Sequence, residues 1–278
     1  MKSAVRKKIF LGSVNNLVMI IICLVFSIPF LWMIMSSFKP GIEIVQIPPT
    51  FLPKDFTFNN YLTIFKQLNF GRLFLNSLVV SAAISILTVF TSSLAGYVFA
   101  KYNFKGKNII FILCISGMMI PLASIILPLY LFISKIGLSN SYIGLILPFT
   151  ISPFGIFLMR QFTEGIPIEL IEAARIDGAS EIKIYYKIIA PLTSAAMGAV
   201  GIFNFLFSWN QLWWPMMIIS NENMRTLPLG IVALASQFGK RFDMVVTGAT
   251  LSVLPVMIVF ALAQRQMIKG VTLTGMKI

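Results

Sequence analysis

Apolar residues along this chain gather into long blocks instead of recurring with the period of a surface helix or strand. Six such runs are visible, near residues 14–35, 73–100, 109–132, 143–159, 195–219 and 244–263. About 20 apolar helical residues cross a bilayer core about 30 Å thick. The pattern therefore predicts an all-α, polytopic membrane protein with six transmembrane helices, and the even number places both termini on one side. Pro29, Pro121, Pro128, Pro148, Pro153, Pro215 and Pro255 fall within the runs. Membrane helices tolerate proline when neighbours satisfy the carbonyls it frees, so these residues fit either ordinary kinks or hinges that open a pathway. No internal repeat is visible.

Composition agrees that lipid is the main solvent: 58% of the 278 residues are hydrophobic and 11% charged, against about 25% charged in soluble domains. The net charge of +13 does not point to nucleic acid, because the basic residues are strung between apolar runs. Lys2, Arg6, Lys7 and Lys8, then Lys101, Lys105 and Lys107, then Arg265 and Lys269 all fall on one side. By the positive-inside tendency that side is cytoplasmic, and both termini with it. The opposite loop between runs three and four carries only Lys135, whereas loops 37–72 and 220–243 mix charges. The first run is too long for a signal peptide and no cleavage site follows it, so it is read as a retained helix.

Several chemistries are excluded or disfavoured. The chain has no histidine, which removes Ser-His and Cys-His nucleophiles and imidazole metal sites. Cys23 and Cys114 lie in apolar runs without CxxC spacing. All nine acidic residues lie in loops or at run edges, and the lack of an intramembrane carboxylate disfavours an ion-coupled secondary carrier. No GxxxxGK[ST] sequence is present to cradle nucleotide phosphates. The chain is thus read as a non-enzyme that binds no cofactor and no metal of its own.

Segment 163–191, between the fourth and fifth runs, carries the signals of a helix-turn-helix. Pro167 suits a first helical turn, Glu169 and Glu172 complement the macrodipole, and Gly178 can take the left-handed conformation that ends a helix. Ser180 then caps a second helix, in which Ile182, Tyr185, Tyr186 and Ile189 make one apolar face before Pro191 marks the return to the membrane. A helix of about ten residues is marginal in water. Its apolar face must pack on the protein's own helix ends, on the membrane surface or on a partner.

Glu172-Ala173-Ala174, then Asp177-Gly178-Ala179, then Ile188 and Pro191-Leu192 resemble the EAA loop of ATP-binding-cassette importer permeases. The likeness to the sugar-importing branch, similar to the smaller permease of maltose-type systems, runs nearly end to end. It takes in Asn76-Ser77, Ala95-Gly-Tyr97 with Lys101, Trp209-Asn210, Thr226-Leu-Pro-Leu-Gly230, Gln264-Arg265 and Gly270-Val-Thr272. The resemblance implies a type I importer permease fold and one permease domain over 1–278. Within it are a tail and first helix at 1–36, core helices at 70–265, a cytoplasmic coupling loop at 163–191 and a tail at 266–278. It further implies that Glu172 pairs with a basic group on a cytoplasmic ATPase dimer, that Ala173 and Ala174 let the helix sit deep, and that Gly178 permits the turn. Other implied partners are a second permease, an extracytoplasmic solute-binding protein and a sugar, with ATP and Mg held by the ATPase. The family tail, Gly-Leu-Thr-Ala-Gly-Ala-Val-Lys-Gly-like, is only partly kept here; Thr272 and Lys277 are the residues expected to reach the ATPase.

The fifth run is dense in polar and indole groups: Asn204, Trp209, Asn210, Gln211, Trp213 and Trp214. Indoles that stack on sugar rings and amides that bond hydroxyls would make a pathway. Interfacial anchoring explains Trp213 and Trp214 equally, and interhelical bonding explains Asn204 and Asn210. Asn76 and Ser77 fit either the pathway or helix packing, and a second permease can supply most substrate contacts. Three functions stay open on residues alone: an importer permease for a sugar, polyol, glycerol phosphate or other polar solute; a secondary carrier; and a membrane assembly subunit.

Overall fold

The computed structural model describes residues 2–67, 69–237 and 241–275, and every regular element among them is helical. In chain order these are α1 (Lys2–Ser36), α2 (Gly41–Ile44), α3 (Asn59–Gln67), α4 (Phe70–Lys101), α5 (Lys107–Ser116), α6 (Leu122–Lys135), α7 (Tyr142–Ile146), α8 (Pro153–Glu164), α9 (Ile168–Ile176) and α10 (Glu181–Ile184). After a π-helical stretch at Tyr185–Ile189 come α11 (Ala190–Leu192), α12 (Ser194–Trp209), α13 (Trp213–Ile218), α14 (Leu227–Gln237) and α15 (Phe242–Gly275).

Among the described residues, three helices are long and apolar enough to span a membrane alone: Asn15–Ser36 of α1, α4, and Phe242–Ala261 of α15. The other three predicted runs are broken. Joining α5 to α6 requires a 106° bend, α7 to α8 a 45° bend, and Glu181–Leu192 to α12 a 78° bend, which together make six. Run 109–132 is therefore not one helix: Pro121 stands at the start of α6 in an extended conformation, where its missing N–H costs nothing. Run 195–219 stops at Trp209, and residues 213–218 form the separate α13.

The chain divides into two compact units, Met1–Asn69 with Ile231–Val253 and Phe70–Gly230 with Leu254–Ile278. In the first, the α1 residues from Asn15 to Phe30 are exposed, as expected of a face that meets lipid. The end of α1 is tied by polar contacts: Asn60 Nδ2 donates to the carbonyls of Ser37 and Lys39, and Thr247 Oγ1 to that of Ser37. Lys39 is buried and its ammonium donates to the Thr50 carbonyl, while Glu43 accepts from Thr50 Oγ1 and the Lys54 N–H.

The second unit is built on α4, which packs against α8 and α12. Close approach depends on two glycines. A Cβ on Gly96 would stand 2.5 Å from Met159 Cβ, and one on Gly155 2.4 Å from Ser92 Oγ. The short side chains of α4 also serve the breaks beside it. Thr88 Oγ1 and Thr91 Oγ1 donate to the carbonyls of Phe149 and Thr150, freed where α7 gives way to α8, and Ser85 Oγ donates to that of Gly201. Gly96→Ala should overpack this contact and cost about 1–3 kcal/mol. The melting midpoint of the purified protein should fall for Gly96→Ala and stay put for Gly71→Ala, whose added Cβ meets nothing within 4 Å.

Candidate functional site

The segment after α8 folds back through α9 and α10, as its capping residues predict. Pro167 takes the cap position just ahead of α9. At the other end the N–H of Ala179 bonds to the Ala174 carbonyl at 2.9 Å and that of Gly178 to Arg175 at 3.0 Å, the paired bonds of a Schellman motif. Gly178 sits at φ +79°, where an L side chain is strained by about 1–2 kcal/mol. Ser180 Oγ caps α10 by accepting from the Lys183 N–H.

The apolar face of the second helix differs from the predicted one. Ile184, Tyr185 and Ile189 are buried, with Ile188 half-buried, whereas Ile182 is 71% and Tyr186 57% exposed. The cause is the π-helical turn at Tyr185–Ile189, whose extra residue rotates the register so that 184 and 189 share a face. The helical stretch from α10 through α11 passes through Pro191 and turns only at Thr193, whose Oγ1 bonds back to the Ile189 carbonyl at 2.8 Å. The buried side chains cluster with Tyr97, Ile166 and Ile171, and Ala174 and Ala179 pack on that cluster. Glu172, Ala173, Asp177 and Pro191 stay exposed, beside Ile176 at 86% exposure.

The last turn of α4 grips both ends of α9. On one side Lys101 Nζ donates to the carbonyls of Glu164 and Ile166. On the other, Glu181 accepts from Tyr97 Oη at 3.2 Å and from Tyr102 Oη, and its second oxygen accepts from Arg175 Nε at 2.7 Å. The Arg175 guanidinium lies 5.7 Å from the Tyr102 ring centre. One turn lower, Ser93 Oγ and Tyr185 Oη share a 2.5 Å hydrogen bond beside the π turn. With Arg175 as the main cause and the Tyr102 hydroxyl next, the Glu181 carboxyl is held down at about 2.

The residues proposed for a pathway do not converge. Asn76 is buried and fully engaged, donating to the carbonyls of Asn223 and Arg225 and accepting from Tyr142 Oη, which is the packing role. Trp209 is buried between Phe74 and Phe205, and Asn210 is exposed with its amide on the Leu206 carbonyl. Trp213 is exposed, as an interfacial anchor would be, but Trp214 is core: it is 1% exposed and its Nε1 donates to the Gly144 carbonyl. Asn204 lines a cavity of about 400 Å³ with Phe149, Ser152, Phe154, Phe203 and Phe207. Thr272 falls in the backbone of α15, and Lys277 lies outside the described residues.

Residues 89–272 match the family described as the binding-protein-dependent transport system inner membrane component. The chain belongs to this family. The permease is 38% identical over 265 residues to the arabinooligosaccharides transport system permease protein AraQ of Bacillus subtilis (strain 168), covering 94% of each chain. It is 31% identical over 242 residues to the lactose transport system permease protein LacG of Rhizobium radiobacter, covering 87% of this chain and 88% of that one. Its fold matches a chain of a bacterial ABC transporter involved in the import of the acidic polysaccharide alginate, with a TM-score of 0.77 over 94% of this chain and 97% of that one at 24% identity. It is a multi-pass, all-helical ABC transporter permease.

Sequence reasoning on the permease missed Ser93, Tyr102, Arg175 and Glu181 as the residues that seat the loop. A signal existed for Glu181, an acid in the first turn of α10 directly after its cap. None existed for Tyr102, whose contact crosses 79 positions. Because the folded Glu181 carboxyl titrates far below its ordinary 4.5, its stabilising contribution is full above that value and is lost as pH falls toward 2. Amide-exchange protection factors of residues 175–184, which remove the intrinsic pH dependence of exchange, should therefore be unchanged from pH 7 to about 5 in the wild type. Glu181→Gln should lower them at neutral pH.

Proposed function

We propose that this permease is the translocation subunit of an ATP-driven importer that moves a carbohydrate delivered by an extracytoplasmic binding protein. The α9–α10 turn is its coupling element. The observation that carries this reading is the contrast across that turn. Its base is locked to α4, while its tip leaves Ile176, Ile182 and Tyr186 bare beside Glu172 and Ala173. Bare apolar side chains rimmed by charge on a rigid support are what a docking partner needs. The partner is a cytoplasmic ATPase dimer: Glu172 would pair with a basic group in its groove, Ala173 and Ala174 would allow close approach, and Asp177, Gly178 and Ala179 shape the turn. Ile188 and Pro191 carry the second helix back toward the membrane.

On this reading the loop and both termini are cytoplasmic, and the protein sits in the inner membrane. ATP and Mg stay on the ATPase, and a second permease completes the pathway. Closure of the ATPase dimer displaces the tip, and the clamp of Tyr97, Lys101 and Tyr102 passes that displacement to α4 as a rigid-body shift. ATP biases the equilibrium only in so far as it favours one of the two states. The aromatic cavity beside Asn204 is the part of this chain best suited to a sugar, with rings to stack on pyranose faces and an amide and a hydroxyl to bond its oxygens. Both relatives described above and the matched structure carry a saccharide in their names.

Ile176→Asp should leave the permease in the membrane yet cut ATP-dependent oligosaccharide uptake at least tenfold, with loss of ATPase co-purification. Uptake at the wild-type rate would refute the docking role. Phe207→Ala should raise the KM for uptake severalfold while leaving ATPase co-purification unchanged, measured with radiolabelled oligosaccharide in membrane vesicles.

A further inference from the structure

A polar concavity lies where the turn after α4 meets α8, and its lining shares no residue with the α9–α10 tip or the aromatic cavity. It has a volume of about 460 Å³ and is lined by Asn103, Phe104, Lys107, Asn108 and Arg160 with Ile109 at its lip. The lining is cationic. Lys107 makes no ion pair among the described residues, and Lys105 stands two positions away. Arg160 lies with its guanidinium 4.0 Å from the Phe111 ring centre and commits only Nε to Glu164, which leaves its terminal nitrogens for another acceptor. The amides of Asn103 and Asn108 add neutral donors, and α5 has no side-chain cap over its first N–H groups.

What adjoins this concavity decides the ligand class. Helix α5 leaves it with Ile109, Ile112 and Leu113 at three- and four-residue spacing, 67%, 59% and 66% exposed. A soluble phosphate would use the polar concavity and ignore that stripe. A phospholipid would use both, its phosphodiester among Lys107, Arg160 and the two asparagines and its acyl chains along the stripe. Basic pockets at the ends of membrane helices hold anionic headgroups in this way. We propose that this concavity binds the headgroup of an anionic phospholipid and that the α5 stripe receives its chains.

The test is native mass spectrometry of the full chain, with whatever subunits co-purify, after reconstitution in nanodiscs of mixed phosphatidylglycerol and phosphatidylcholine and extraction into detergent. The wild type should retain phosphatidylglycerol in preference to phosphatidylcholine. Lys107→Ala should weaken that retention about fivefold, as expected for one interfacial cation, and Lys107→Glu should weaken it further. Lys135→Ala, which removes an equal charge elsewhere, should change nothing. Equal retention of both lipids, or retention insensitive to Lys107→Glu, would overturn the proposal. Displacement of the lipid by millimolar inorganic phosphate would assign the concavity to a soluble anion instead. Lipid retention is read without transport, so the proposal stands or falls separately from the coupling role of the α9–α10 turn.

Discussion

A backbone carbonyl in hydrocarbon must find a donor inside the protein, because no water is there to supply one. Three of the six apolar spans of this chain are bent pairs, and each bend frees such carbonyls. Helix α4 answers that constraint at the α7–α8 break. From Arg72 to Lys101 it carries a succession of polar contacts: Arg72 and Asn76 to the Asn223 and Arg225 carbonyls, Ser77 to the Leu227 N–H, Ser85 to Gly201, Thr88 and Thr91 to the α7–α8 break. At the α7–α8 break the freed carbonyls have donors because one continuous helix runs beside them.

The same helix seats the loop. Ser93, Tyr97 and Lys101 extend the series of contacts beyond the broken spans to the π turn, Glu181 and the start of α9. Membrane core and loop base therefore share a support, and a force on the tip has a short path into the bundle. Close packing makes that path stiff, since Gly96 and Gly155 bring α4 and α8 nearly into backbone contact. Exposed apolar side chains remain where the contacts end, at Ile176, Ile182 and Tyr186.

Much of this was legible in the residues. The runs were found because lipid demands length and apolarity, and the α9–α10 turn because Gly178 and Ser180 are local signals with local causes. The 106° bend was not found, since Pro121 marks a kink without giving its angle. The buried face of α10 was misassigned because a π turn has no signature in a period of 3.6. Trp214 looked like an interfacial anchor and proved to be core, because its Nε1 finds the Gly144 carbonyl 70 positions away. The spine of α4 was not read from the sequence, although Ser77, Ser81, Ser85, Thr88, Ser92 and Gly96 stand at three- and four-residue steps. Small residues at that spacing are how membrane helices approach one another.

The central claim is that the exposed tip of the α9–α10 turn faces the cytosol and is covered by an ATPase. It is tested by placing a single cysteine at Ala173 in a chain with Cys23 and Cys114 replaced by serine, then applying a membrane-impermeant maleimide. The account predicts no labelling in intact cells, labelling in inside-out vesicles stripped of peripheral proteins, and protection when the ATPase is added back. Labelling from outside the cell, or labelling that the ATPase leaves untouched, would contradict it.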